Sequence, residues 1–130
     1  TTKPVKDRLA PIMTKSEINS YQRLVRRVPV ADNVVEHAVK LVSATRPNSE
    51  NTPNFINESI SWGAGPRASQ FLILGSKAKA ILEGRPTPNI DDINSLAIPI
   101  LRHRVLTNFN AETQGLKVED LISQLLEKLN

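Results

Sequence analysis

The sequence contains no cysteine, which excludes a disulfide framework, a thiolate metal site and a thiol nucleophile. Aromatic residues make up only 4% of the 130 residues. Aliphatic side chains must therefore supply most of the core, and this composition favours helices over sheets. The sequence also lacks a signal-peptide pattern and any apolar run long enough to span a membrane. We expect a soluble, cytoplasmic domain with one hydrophobic core.

Motifs of common enzyme classes are absent as well. The chain has no G-x-x-x-x-G-K-[ST] phosphate loop, no G-x-S-x-G and no H-E-x-x-H. His37 and His103 have no ligand-like spacing, so they are interpreted as packing or surface residues, and no metal site is predicted. The adjacent acids Asp91 and Asp92 are explained by the first turn of a helix, where negative charge is favourable, rather than by acid/base catalysis.

Hydrophobic periodicity predicts a mostly α fold, a small bundle of about six helices with a short two-stranded β element. The predicted helices cover residues 14–28, 32–45, 66–83, 89–98, 99–102 and 118–129, and the candidate strands cover 58–63 and 105–107. Thr14 and Glu17 form a capping box for the first helix, Asp32 is expected to cap the second, and Pro99 is expected to cause a break. Leu125 is expected in the core. Residues 1–13 are interpreted as a linker and residues 14–130 as the helical domain.

One segment, W-G-A-G-P-R at residues 62–67, has a composition suited to binding chemistry. Its two glycines allow close backbone approach, Pro66 fixes the start of a helix, and Arg67 falls in the first turn. A helix N-terminus binds phosphate well, and a guanidinium adds a charged, bidentate donor. From the residues alone, an anion site formed by Gly65, Pro66 and Arg67 and an ordinary helix start with a solvent-facing arginine are equally supported.

The segment W-G-A-G-P-R-A-S at 62–69 resembles the sensor-2 segment W-G-A-S-P-R-A-S of MoxR-family AAA+ ATPases. Further motifs resemble that family in the same order: V-R-R-V-P-V at 25–30, L-V-S-A-T-R-P at 41–47, G-R at 84–85 with D-D-I at 91–93, L-R-H-R at 101–104, and A-E at 111–112 with Gly115. The order and spacing hold from about residue 10 to residue 126. Each motif is weak alone, but their ordered combination is specific.

The resemblance implies that the chain is the C-terminal helical lid of a MoxR-type, chaperone-like AAA+ ATPase, with residues 1–13 leading in from the ATPase core. Arg67 then takes the sensor-2 position and contacts the γ-phosphate of ATP, and Gly65, Pro66 and Arg67 are the expected nucleotide-binding residues. The implied cofactor is ATP, with Mg²⁺ held by the core, so the chain alone should bind ATP weakly and hydrolyse none. The implied partners are that core, the neighbouring subunits of a hexameric ring and a von Willebrand A-domain protein, and no membrane is involved.

Two positions depart from the family pattern: Gly65 replaces a serine, and Lys117 replaces the Thr or Ser that caps the last helix. Arg46 is interpreted as a helix C-terminal cation in preference to a subunit-interface residue.

A net charge of +4 and a pI near 9.7 leave a second hypothesis, a free-standing nucleic-acid-binding domain. Its candidate residues are Arg23, Arg26, Arg27, Arg102 and Arg104. The lid is preferred because cations at the end of an amphipathic helix are favourable without any partner.

Overall fold

The computed structural model describes residues 9–129, and across them the chain forms seven α-helices and one two-stranded antiparallel sheet. The helices are α1 (Lys15–Arg27), α2 (Asp32–Ala44), α3 (Asn54–Ser59), α4 (Arg67–Leu82), α5 (Ile90–Leu101), α6 (Phe109–Thr113) and α7 (Val118–Leu129). The strands are β1 (Ile60–Trp62) and β2 (Leu106–Thr107). The predicted fold class is confirmed, with seven helices where about six were expected.

Of the predicted linker, residues 1–13, the first eight positions lie outside the described residues. Residues 9–13 are exposed and contain no helix.

Helix α1 begins at the predicted capping box. The Thr14 hydroxyl accepts a hydrogen bond from the Glu17 amide at 3.2 Å, and the Glu17 carboxylate accepts one from the Thr14 amide at 2.7 Å. These two bonds satisfy amides for which the helix itself has no acceptor. The apolar stripe of α1 is covered only in part, because Ile18 and Tyr21 are exposed and no residue from Lys15 to Arg27 is buried.

The hydrophobic core lies between α2, α4, α5 and α7. Helix α4 packs against α5, α2 and α1, while α7 packs against α5 and α2. The largest fully buried aliphatic side chains of these helices are Leu41, Leu72, Ile93, Leu101, Leu121, Ile122 and Leu125. The prediction that Leu125 belongs to the core is therefore confirmed.

Helix α4 buries a narrower face than its composition predicts. Ala68, Leu72, Ser76 and Ala80 are buried at a spacing of four residues, which forms one line along the helix. Phe71 and Leu74, on the other side of this apolar helix, are exposed. Small residues on α4 let α5 approach closely, since a Cβ on Gly75 would lie 2.9 Å from Leu96 Cδ1.

The turn between α4 and α5 is fixed by a buried acid. Gly84 has a φ of +70°, which glycine adopts without steric cost. Arg85 donates from Nη1 to Asp92 Oδ2 at 2.9 Å and from Nη2 to Asp92 Oδ1 at 2.7 Å. These bonds hold the pKa of Asp92 below its ordinary value, against the opposing effect of burial, and a bond from the Asn89 amide acts in the same direction. Asp92 is thus a buried capping residue that anchors the turn.

One helix start and one helix interior differ from the sequence prediction. Ala31, without a side-chain bond, is the N-cap of α2, and Asp32 is its first residue. The break expected near Ile98 is wrong, because α5 continues through Pro99 to Leu101. Pro99 removes only the hydrogen bond to the Ser95 carbonyl, and both residues are exposed, so water can hydrate that carbonyl.

Helices α3 and α6 were not predicted, and they support each other across the fold. The side-chain amides of Asn108 and Asn110 donate to the Glu58 carbonyl at 2.9 and 3.0 Å. The Asn108 side chain also caps α6 by accepting from the Ala111 amide at 3.0 Å.

The start of α7 carries the second departure from the family pattern, Lys117. The Lys117 amide donates to Asp120 Oδ2 at 3.0 Å, so its hydrogen-bond partner is a side chain of the helix itself.

The two predicted strand regions do pair. In the antiparallel sheet, Ile60 lies opposite Thr107 and Trp62 lies opposite Leu106, with an irregularity of register between them. The sheet thereby fixes the chain immediately before the segment at residues 62–67.

Candidate functional site

The predicted site lies at the start of α4, on the surface. Pro66 is the N-cap with φ −59° and ψ −28°, and Arg67 is the first helical residue. The helix thus begins one residue later than predicted, although Pro66 already has helical dihedral angles. The Arg67 side chain is exposed and forms no hydrogen bond or ion pair with any other residue of the 9–129 region. Its guanidinium is available to a ligand.

The backbone amides of the first turn are less available than the sequence suggested. The Ala68 amide donates to the Gly65 carbonyl at 3.0 Å, and the Ser69 amide donates to the Pro66 carbonyl at 3.1 Å. Pro66 has no amide hydrogen. Because the Ala68 and Ser69 amides are already bonded, a phosphate at this site would depend on the other groups of the helix start, above all the Arg67 side chain, and on the positive end of the helix dipole.

The two glycines of the segment serve different purposes. A Cβ on Gly63 would lie 2.4 Å from the Thr45 carbonyl oxygen and 2.6 Å from Arg46 Cα, whereas a Cβ on Gly65 would have no neighbour within 4 Å. The close backbone approach expected from the sequence therefore occurs at Gly63. The backbone of Gly63 lies against the backbone at the end of α2.

Arg46 has a partner that sequence reasoning missed. Its Nε donates to the Ala64 carbonyl at 2.8 Å, and the Ala64 amide donates to the Thr45 hydroxyl at 3.0 Å. The interpretation of Arg46 as a simple helix C-terminal cation is therefore incomplete. The motif A-T-R at 44–46 was the available signal, since it and W-G-A at 62–64 both belong to the family resemblance.

Three of the arginines in the nucleic-acid hypothesis lie around one exposed aromatic ring. Arg23 and Arg26 line a groove between α1 and α4 together with Phe71, and the Arg104 guanidinium lies 5.0 Å from the centre of the Phe71 ring. Arg27 lines a different groove. The structure therefore gathers part of that set on one face.

The remaining candidate residues are the two histidines and the adjacent acids Asp91 and Asp92. His37 is buried, and its Nε2 lies 2.7 Å from Asn94 Oδ1, which fits the packing role predicted for it. His103 is exposed and contacts Arg104. Asp91 is exposed and Asp92 is paired with Arg85, so the two carboxylates do not form an acid/base pair. No helix described between residues 9 and 129 is long and apolar enough to cross a membrane.

Comparison with known protein families identifies the family of this chain. The profile of the AAA lid domain matches residues 54–125, more than half of the chain and the whole segment around Arg67. The chain belongs to the AAA lid domain family. The AAA+ lid inferred from ordered short motifs is thereby confirmed.

Individual relatives of this lid agree with the family match. The chain is 29% identical over 118 residues to the uncharacterized protein YeaC of Bacillus subtilis, covering 91% of this chain and 34% of that protein. It is 25% identical over 116 residues to chaperone MoxR1 of Mycobacterium tuberculosis, covering 89% and 31% respectively. A crystal structure of a candidate ATPase from Cytophaga hutchinsonii superposes with a TM-score of 0.78 at 30% identity, covering 88% of this chain and 34% of that one. The lid thus spans about a third of the length of the proteins it matches.

Proposed function

We propose that this lid senses the nucleotide of a MoxR-type AAA+ ATPase and that Arg67 is its sensor-2 arginine. The observation that carries the proposal is the position of Arg67. Its guanidinium is exposed at the first residue of a 16-residue helix, within a segment that matches the family motif at every position from 62 to 69 except Gly65.

The chemistry of Arg67 suits contact with a γ-phosphate. A guanidinium stays charged at all physiological pH values and donates two parallel hydrogen bonds to phosphate oxygens. Charge placed at the transferring phosphoryl group stabilises the transition state of hydrolysis. The N-terminus of α4 adds positive potential at the same place. Gly65 and Pro66, at the same helix start, are the other two residues that we expect to lie beside ATP.

The remaining parts of the catalytic site belong, in this proposal, to an ATPase core outside this chain. That core holds Mg²⁺ and the phosphate loop, and it makes the main contact with the lid. Neighbouring subunits of a hexameric ring and a von Willebrand A-domain protein are the further partners, and the activity is chaperone-like. The support is the family resemblance together with a relative that is named a chaperone.

Substitution of Arg67 tests the proposal in the ATPase that carries this lid. Arg67→Ala should lower turnover by about 10³- to 10⁵-fold, as loss of a transition-state arginine does. Arg67→Lys should not restore it, because an ammonium lacks the planar fork. The same Ala change should leave the melting curve of the isolated lid unchanged, since the Arg67 side chain is exposed and forms no hydrogen bond or ion pair with any residue from 9 to 129, and the isolated lid should release no phosphate.

Two results would contradict this assignment. Turnover that survives in the Arg67→Ala protein would show that Arg67 is not a sensor. A lid that melts earlier with Arg67→Ala would show a structural role, and the lost turnover would then be indirect.

Nucleic-acid binding is the second candidate function, and the grouping of Arg23, Arg26 and Arg104 around Phe71 favours it. A band shift of the isolated lid with short duplex DNA at two salt concentrations separates the two functions. Binding through phosphate contacts weakens steeply with salt, and an absence of binding at low salt would exclude this candidate.

A further inference from the structure

The end of α2 and the segment before α4 are joined by three separate contacts. The backbone of Gly63 passes so close to Thr45 and Arg46 that a Cβ would lie 2.4 Å from the Thr45 carbonyl oxygen. The Ala64 amide donates to the Thr45 hydroxyl at 3.0 Å, and the Ala64 carbonyl accepts from Arg46 Nε at 2.8 Å. We call this set of contacts the Thr45–Arg46 clamp.

The clamp binds both polar groups of one buried backbone residue. Ala64 is 0% exposed and Thr45 is 1% exposed, so neither the Ala64 amide nor its carbonyl has water as an alternative partner. The Thr45 hydroxyl also donates to the Val42 carbonyl at 2.7 Å, which fixes its orientation toward the Ala64 amide. Opening the clamp would leave buried polar groups unbonded, so the closed arrangement is strongly preferred.

Only two residues separate the clamped Ala64 from Arg67. Pro66 has its φ restricted by its ring, and the Ala68 amide bonds the Gly65 carbonyl at 3.0 Å. Gly65 and Pro66 therefore have little freedom once Ala64 and the first turn of α4 are fixed. The position of the Arg67 backbone follows from the clamp.

We infer that Thr45 and Arg46 are positioning residues for Arg67, holding the start of α4 at the place from which its arginine reaches the nucleotide. This inference rests on the proposed sensor role of Arg67. The Thr45 side chain is buried and Arg46 Nε is bonded to the carbonyl of Ala64, so each acts on Arg67 through the backbone of Ala64.

The clamp is braced from the loop that follows α2. The Thr52 hydroxyl donates to the Arg46 carbonyl at 2.6 Å. The Asn48 amide, at a residue with a φ of +60°, donates to Asn57 Oδ1 at 2.7 Å. These bonds connect the clamp to α3, so residues 46–57 support the site although they are remote from Arg67 in sequence.

A matched pair of substitutions tests the clamp in the isolated lid. Thr45→Val removes the hydroxyl at nearly constant shape, and Thr45→Ser retains it. Amide hydrogen exchange at Ala64 should accelerate in Thr45→Val and stay close to wild type in Thr45→Ser, and the Arg67 amide resonance should shift only in Thr45→Val. Arg46→Ala, at a half-buried side chain, provides a second variant in case Thr45→Val does not fold. An unchanged Ala64 exchange rate and Arg67 resonance in both variants would overturn the inference.

A double-mutant cycle tests the functional part in the ATPase that carries this lid. Thr45→Val or Arg46→Ala should lower kcat by on the order of 10²-fold, as misplacing a reacting group by about 1 Å does, and should leave the KM for ATP nearly unchanged. In an Arg67→Ala background the same changes should lower kcat no further, because they act through Arg67. Thr45→Ser, which retains the hydroxyl, should keep kcat close to the wild-type value.

The outcomes separate this inference from the proposed function. If Arg67→Ala lowers kcat and the clamp substitutions lower it further by their full factor, the positioning role is wrong and the sensor role stands. If Arg67→Ala has no effect, the sensor role is wrong, and the exchange and resonance measurements on the lid alone decide whether the clamp positions this segment.

Discussion

Gly63 offers a direct test of the close approach between α2 and the segment before α4. In Gly63→Ala, the added Cβ would lie 2.4 Å from the Thr45 carbonyl oxygen, while ordinary van der Waals contact begins near 3.4 Å. The neighbouring atoms at 2.6 and 2.7 Å are also backbone atoms, so no side chain can rotate away. The segment must shift by roughly 1 Å relative to the end of α2.

A shift of that size should break both bonds of Ala64. They are 2.8 and 3.0 Å long, and a further ångström takes each beyond hydrogen-bonding distance. A buried polar group that loses its partner lowers the stability by about 1–3 kcal/mol. Alanine lowers the entropy of the unfolded chain, which raises the stability by about 0.4–1 kcal/mol. We expect Gly63→Ala to lower the free energy of unfolding by about 3 kcal/mol.

Gly65→Ala is the matched control, two residues away in the same segment. A Cβ there has no neighbour within 4 Å, and the φ of Gly65 is not positive, so the lid should be as stable as wild type or up to about 1 kcal/mol more stable. Urea unfolding followed by circular dichroism measures both variants, and the fluorescence of Trp62, the single tryptophan, reports the segment itself. Equal stabilities for the two variants would refute the reasoning.

Two further predictions concern the stability of the lid. Leu125→Ala, at a side chain that is 0% exposed, should cost about 2–5 kcal/mol in denaturant melts. Gln124→Ala, its exposed neighbour, should change stability by less than about 0.5 kcal/mol, and similar values for both would contradict the packing of α7. Because Arg85 holds the pKa of Asp92 below its ordinary 3.8, stability from this pair should be complete above about pH 4 and lost as the pH falls through the lower, folded-state pKa. Asp92→Asn should cost about 1.5–3 kcal/mol at pH 7 and flatten this acid dependence, and an undiminished acid dependence in Asp92→Asn would assign it to other carboxylates.

The sequence predicted those elements whose signals are local. The capping box at Thr14 and Glu17 and the long apolar stripes depend on residues three or four apart, so they are visible without the fold. Helix α3 has no such signal, and α6 has only the cap at Asn108. They depend on bonds from Asn108 and Asn110 to a carbonyl at Glu58, about fifty residues earlier in the chain, and a backbone acceptor leaves no trace in residue identity.

The same limit explains which part of the candidate site could be predicted. Arg67 was found because its residue type, its place after Pro66 and the surrounding motif are all sequence properties. The partner of Arg46 was not found, because it is the backbone carbonyl of Ala64, eighteen residues away. The pairing of Arg85 with Asp92 lay between these cases, since both residues belong to the quoted motifs while nothing in the spacing indicated that they meet.

The glycine-rich appearance of the segment at 62–66 suggested one explanation for both glycines, namely close approach of the backbone to another group. The structure assigns the requirement to Gly63 alone, and the atoms that exclude a side chain there belong to Thr45 and Arg46. At Gly65 the surrounding space is open, so the serine that the family commonly carries would fit without moving the backbone. The departure at Gly65 therefore leaves the geometry of Arg67 intact, whereas a side chain at Gly63 would displace the helix start on which the proposed sensor depends.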